Sequence, residues 1–326
     1  MTATHFPEDK SVTVHVDNPG SDMDNRDKVD STPESVHNEL PPVEHLSLIQ
    51  CLRKYKVASF MCVLAAVGAL SDGYQVQMSG SIVALDGFIN TFGDLQDDGT
   101  YVVDPQYLAL WGSLKNVAAM FGAAIGSYPA DKLGRRWMIL LVQIIMIGAC
   151  ILEQLSTHWT HWLGARLLDG FSIGLAQCCI NVYISEMAPT GGRGALMSLV
   201  QLFYSIGQFL SSISLNIVSQ DKPKNWRHAV LSQFALCGVA LIAWVFLPES
   251  ARWHCAQGRE LPCKKILTRV NGKVPGYDVD MEYKRMHLEI ENAKIESTIH
   301  GGGSYLDVFR GTNRVRFIHD CMSTYD

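Results

Sequence analysis

From Val57 to Pro248 the apolar residues gather into six blocks, at roughly 57–84, 107–129, 137–155, 162–185, 197–218 and 229–247. Each is close to the ~20 residues with which a helix crosses the hydrocarbon of a bilayer. One such block is compatible with a buried helix of a soluble protein. Six in succession, with polar breaks of loop length, exceed what one soluble core can house. Only nine Lys or Arg residues fall in this stretch, although 18% of the whole chain is charged. The overall composition, 48% apolar, therefore averages a membrane segment with polar flanks. The expected fold class is an all-α membrane protein with six transmembrane helices over 53–249.

The flanks read differently. Residues 1–50 hold ten acidic residues against three basic ones and few large apolar side chains. Such a segment cannot bury enough surface to offset the entropy of ordering, so 1–52 is expected to be a disordered acidic tail. It lacks the basic start and apolar core of a signal peptide. Beyond Pro248, Ile266, Leu267, Val270, Met281, Met286, Leu288 and Ile295 recur at near-helical spacing among charges. Short amphipathic helices lying on the membrane face are expected over 250–300. Gly301–Gly303 reads as a flexible break, and 301–326 as a polar end.

Orientation follows from Lys and Arg in the breaks. Arg53, Lys54 and Lys56 precede the first block, Lys132, Arg135 and Arg136 follow the second, Arg193 follows the fourth, and Arg252, Arg259, Lys264 and Lys265 follow the sixth. The break between the first two blocks has neither, and carries Asp86, Asp94, Asp97, Asp98 and Asp104. Both termini are expected in the cytoplasm. Lys222, Lys224 and Arg227 are the exception, in a break placed outside. A net charge of -5 argues against a nucleic-acid partner. The nine cysteines lack paired metal spacing, and no nucleophile–base pair or phosphate loop is visible, so neither enzyme chemistry nor a cofactor is expected.

Ionisable groups inside a bilayer are costly and usually face a cavity with a partner. Asp72 and Lys115 have apolar residues on both sides. Glu153, Arg166 and Asp169 also read as headgroup-level charges, the reading favoured for Glu153. Gln201, Gln208 and Asn216, seven and eight residues apart, share one helical face. Amides donate and accept at once, as polyol hydroxyls do, but bonding between helices explains them equally well. Gly122 with Gly126, and Gly170 with Gly174, form small-residue ridges for close helix packing.

Three motifs carry a resemblance. Asp131-Lys-Leu-Gly134-Arg135-Arg136 resembles the D-R-x-G-R-R signature of the major facilitator superfamily. Arg166-x3-Gly170-x3-Gly174, Tyr183-x2-Glu186 and Arg193-Gly194 resemble the second signature of its sugar porter family. Pro248-Glu249-Ser250-Ala251-Arg252-Trp253 with Gly258-Arg259 resembles that family's P-E-S-P-R-W…G-R element, Ala251 replacing proline. The wording of the motifs and the acidic tail look fungal, like hexose or α-glucoside permeases.

The resemblance implies a carbohydrate transporter working by alternating access, with a sugar and a proton as partners, in the plasma membrane or alternatively the vacuolar membrane. Gln201 matches the family's sugar-contacting glutamine of helix five, and Gln75 and Gln208 join it as substrate-binding candidates. Proton-coupled members have G-Y-D in helix one, whereas this chain has Gly73-Tyr74-Gln75. Asp72, nearly one turn earlier, is the candidate to bind the proton with Arg166. Asp131, Gly134, Arg135, Arg136, Glu186, Arg193, Glu249 and Arg252 fall at cytoplasmic span ends. There, carboxylate–guanidinium pairs would form a bistable gate. The family has twelve spans in two halves. This sequence supplies the first half, and Ser304 to Arg314 resembles the approach to helix seven. A truncated half is the expectation; a six-span protein pairing with a second half or a full-length transporter, a passive facilitator, and a sugar sensor are the alternatives.

Overall fold

In the computed structural model, residues 47–97, 99–221 and 225–299 are described. Asp98, Lys222, Lys224, the tail through residue 46, Gly301–Gly303 and the polar end lie outside them. Eleven α-helices, two 3-10 turns and one two-stranded hairpin are the regular elements of the described part. Six helices are long and apolar enough to span a membrane: α2 (Lys56–Ser81, extended by a 3-10 turn to Ala84), α4 (Pro105–Leu133), α5 (Arg135–Leu155), α6 (Trp159–Met187), α7 (Arg193–Asp221) and α8 (Arg227–Phe246). They coincide with the six apolar blocks.

Helix ends follow local chemistry more than hydropathy. The second block begins at Tyr107, yet α4 starts two residues earlier, because the Asp104 side chain accepts the Gln106 amide at 2.8 Å with Pro105 at the first helical position. Gly134, at φ +96°, separates α4 from α5 in a single residue. The expected disordered tail ends too late at residue 52: α1 (Leu48–Lys54) is helical. Its Ser47 amide is capped by the Gln50 side chain, and Cys51 is buried beside Gly192.

α2 and α6 are the central helices. α2 packs on α6, α7 and α8, and α6 packs on α2, α4 and α5. Both bury most of their apolar stretch, whereas α4 and α7 bury little. Small residues set these contacts. A Cβ at Gly73 would run into the Tyr204 backbone of α7, and one at Gly207 into the Leu70 and Tyr74 backbone of α2. Gly170 and Gly174 likewise admit the α4 backbone at Lys115 and Ala119, so that ridge is a packing device.

One end of the bundle is closed by aromatic rings. Between α2 and α4, helix α3 (Asp86–Phe92) and the hairpin β1 (Asp94–Leu95) with β2 (Tyr101–Val102) fill the acidic break. Phe88 and Phe92 pack against Trp111, Trp162 and Trp226 with ring centroids 4.9–6.2 Å apart, and Trp226 Nε1 donates to Thr91 at 3.1 Å. Arg227, the exception to the charge pattern, donates to the Gln154 and Ser156 carbonyls at 3.1 and 2.9 Å. It thereby caps the negative end of α5, a local role that overrides its statistical placement.

At the other end lie α9 (Ala251–Ala256), α10 (Glu260–Asn271) and α11 (Val279–Ile299). The first two are short, at 6 and 12 residues, whereas the last runs 21, longer than expected. Their apolar faces meet one another through Cys255, Cys263, Leu267 and Met286, Val270 joins the main core, and Ile295 is exposed. Because the faces are spent on mutual packing, these helices do not present a continuous apolar stripe.

Candidate functional site

The close approach of α2 and α7 at Gly73 and Gly207 leaves, beside α6, a cavity of about 360 Å³. Asp72 from α2, Gln177 and Asn181 from α6, and Gln201 and Tyr204 from α7 supply its polar wall; Ala69, Ile180, Met197 and Val200 supply the apolar one. A concave site with a few convergent polar groups on an apolar lining is the usual form of a small-molecule site. Three amides, a phenol and a carboxylate together offer donors and acceptors suited to a polyol. Asp72 is only 1% exposed, and its Oδ1 has no hydrogen-bond partner among the described residues.

Two of the sequence candidates, Asp72 and Gln201, thus share one cavity. Gln208 lies on the same helical face, but two turns along, about 10 Å away in rise, and does not line it. Asn216 is engaged by Gln220 at 3.1 Å. Gln177, Asn181 and Tyr204 were missed. Two amides four residues apart in an apolar run were the available signal, since that spacing puts them on one face.

Gln75 lies outside the cavity, in a buried polar network. Its Nε2 donates to Glu153 Oε1 at 2.9 Å, and Gln233 Nε2 donates to Glu153 Oε2 at 3.0 Å. The Cys150 thiol lies 3.6 Å from Gln75 Oε1 and 3.2 Å from Gln233 Oε1. Arg166 pairs with Glu153 and, at 3.4 Å, with Asp169, and its guanidinium stacks on Trp162 at 4.6 Å. Lys115 pairs with Asp169 at 3.2 Å and donates to Ser79 at 2.5 Å. Glu153 and Asp169 are 0% exposed, buried between the helices. A chain that buries a carboxylate this deeply needs partners for it, and four helices supply them. Arg166, expected beside Asp72, is held by Glu153 and Asp169.

The three loop motifs converge at the end of the bundle opposite the aromatic rings. Arg135 pairs with Asp131 at 2.9 Å and with Glu186 through Nη2 at 2.9 Å and Nε at 3.2 Å. Glu249 Oε1 accepts the Arg136 and Ser250 amides at 3.1 and 3.0 Å. Its carboxylate occupies the space a side chain at position 134 would fill, so Gly134 serves the packing as well as the turn. Burial raises the Glu249 pKa, while the amide donors pull it down. Tyr183 donates to the Pro248 carbonyl at 3.1 Å, and Trp253 Nε1 to that of Asp131 at 2.7 Å. Arg252 pairs with Glu289 of α11 at 3.3 Å. Arg193 lines a cleft with Glu186 and Arg252. The signatures therefore form one connected polar cluster across α4, α5, α6 and the start of α9.

Residues 61–324 match the protein family described as "Sugar (and other) transporter". Sugar transport protein 2 of Arabidopsis thaliana is 27% identical over 245 residues, 72% of this chain and 48% of its own. Inositol transporter 4 of the same plant is 30% identical over 243 residues, 74% of this chain and 39% of its own. The low-affinity glucose transporter HXT3 of Saccharomyces cerevisiae is 26% identical over 260 residues, 79% and 45%. The chain spans about half the length of these curated relatives, or less. Among solved structures, the major facilitator proton:xylose symporter XylE bound to 6-bromo-6-deoxy-D-glucose superposes with a TM-score of 0.63 at 21% identity, covering 79% of this chain and 57% of that one. The likeness is one of fold.

Proposed function

The chain belongs to the sugar (and other) transporter family, and from that premise we propose that its six spans form a sugar-holding bundle of a carbohydrate porter that works by alternating access. The observation that carries the reading is the α2/α6/α7 cavity, with Asp72, Gln177, Asn181, Gln201 and Tyr204 on one wall. Sugar hydroxyls bridge the amides, Gln201 first among them, while the apolar wall takes the ring face. Proton coupling runs through Asp72. Protonated, it enters the occluded cavity neutral; ionised, it is an uncompensated charge in a low dielectric.

The latch at Arg135, Glu186 and Glu249 closes one face of the bundle and biases the exchange between states. By the charge pattern this face is cytoplasmic, as are both termini, and the membrane is the plasma membrane or, as the alternative, the vacuolar one. Reconstituted in vesicles, the protein takes up labelled hexose or pentose saturably, and an imposed inward proton gradient accelerates uptake. Asp72→Asn removes the acceleration and spares exchange. Uptake indifferent to the gradient makes it a facilitator. Saturable binding without flux makes it a sensor. Absence of both uptake and binding refutes the reading.

A further inference from the structure

The membrane-buried charges of this bundle do not balance one another uniformly. Glu153 and Asp169 carry two negative charges, and Arg166 and Lys115 carry two positive ones, all four joined by ion pairs. Gln75 and Gln233 saturate the Glu153 carboxylate from two further helices, so this set is electrically complete. Asp72 remains over. Its Oδ1 is unpartnered among the described residues, it faces the cavity, and neither Arg166 nor Glu153 lines that cavity.

The groups that face α2 from its neighbours are Lys115 of α4, Cys150 and Glu153 of α5, Asp169 of α6 (with Arg166 behind Glu153), Tyr204 of α7 and Cys237 of α8. Two of these are cations, and both are engaged by Asp169, Arg166 by Glu153 as well. Gln75 stands where the family resemblance leads one to look for a carboxylate, and its amide points at Glu153. The carboxylate that neutralises Arg166 has thus been supplied from α5.

We propose that Glu153 is a positioning residue for coupling: it holds Arg166 as its own fixed counter-ion and so leaves Asp72 as the buried carboxyl that exchanges a proton with the cavity. The inference deepens the proposed proton coupling and rests on it, though not on the identity of the sugar. In this arrangement Glu153 keeps its charge through the cycle. Its three contacts, the Arg166 guanidinium and the Gln75 and Gln233 amides, occupy both oxygens and leave little room for a proton. Asp72 acts without a guanidinium of its own.

The test is a pH titration of the purified chain in lipid, followed by the infrared carbonyl stretch of protonated carboxyl groups. The wild type shows a titrating buried-carboxyl band, and Asp72→Asn removes it. Glu153→Gln keeps the band but displaces its midpoint to more acid pH, by about tenfold or more in proton concentration, because a surplus buried cation then favours ionised Asp72. Restoring charge balance with Glu153→Gln/Arg166→Gln returns the midpoint towards the wild type; this double variant also serves if the single one does not fold. A band lost in Glu153→Gln and kept in Asp72→Asn makes Glu153 the proton carrier and overturns the proposal. So does a midpoint that Glu153→Gln leaves unmoved, or a double variant displaced from the wild type. No sugar enters the measurement, so its failure is distinct from a failure of uptake.

Discussion

Arg166 is the residue on which the most buried charge depends, since Glu153 and Asp169 both lean on it. Truncating one member of a buried ion pair strands the other, at a cost of about 3–5 kcal/mol. Arg166→Met is expected to lower stability by that order in reversible unfolding from detergent. Arg166→Lys keeps the charge but loses the planar fork and the stacking on Trp162, and falls between. Gln201, exposed on the cavity wall, behaves oppositely: Gln201→Ala leaves stability unchanged and weakens sugar binding about tenfold, roughly one well-made hydrogen bond of 1.4 kcal/mol, by equilibrium binding of labelled sugar. Sequence could nominate Asp72 and Gln201, because a charge or an amide in an apolar run is conspicuous by itself. It could not pair Glu153 with Gln75, Gln233 and Arg166. Those partners come from three other helices, and their meeting depends on helix rotation and depth, which hydropathy does not encode.

Among elements, the contacts of α2 with α7 and of α6 with α4 are backbone approaches, and backbone cannot give way. Gly207→Leu and Gly170→Leu force their helices apart and are expected to cost at least the 1–3 kcal/mol typical of overpacking. Gly238→Ala meets nothing within reach and leaves the melting temperature within error. The ridge at Gly170 and Gly174 was legible as spacing; the reciprocal pair Gly73 and Gly207 was not, since neither has a second glycine one helical turn away.

At the latch, burial raises the Glu249 pKa, so the folded state holds that proton more tightly than the unfolded chain. Stability from this group is therefore full below the ordinary glutamate range and is lost as pH rises through the raised value. Hydrogen exchange at the α8–α9 corner is expected to quicken across that window in the wild type, beyond the intrinsic increase with pH. In Glu249→Gln that excess is absent.

For the whole molecule, six apolar blocks and three loop signatures were enough to read the fold, because membrane hydropathy leaves few architectures open. Helix ends and the cap helices were less legible, since caps, a single positive-φ glycine and mutual packing decide them. α4 and α7 carry exposed apolar rows, Met120, Phe121 and Ile125 on one and Leu202, Phe209 and Ile217 on the other, which lipid or protein must cover. The proposed function requires that the cavity between α2, α6 and α7 hold a sugar. Equilibrium binding of labelled D-glucose, D-xylose and myo-inositol to the chain in lipid nanodiscs tests it most directly. Saturable binding of at least one, weakened about tenfold in Gln201→Ala, is the predicted result. Binding that ignores Gln201→Ala, or no saturable binding of any of the three, contradicts it.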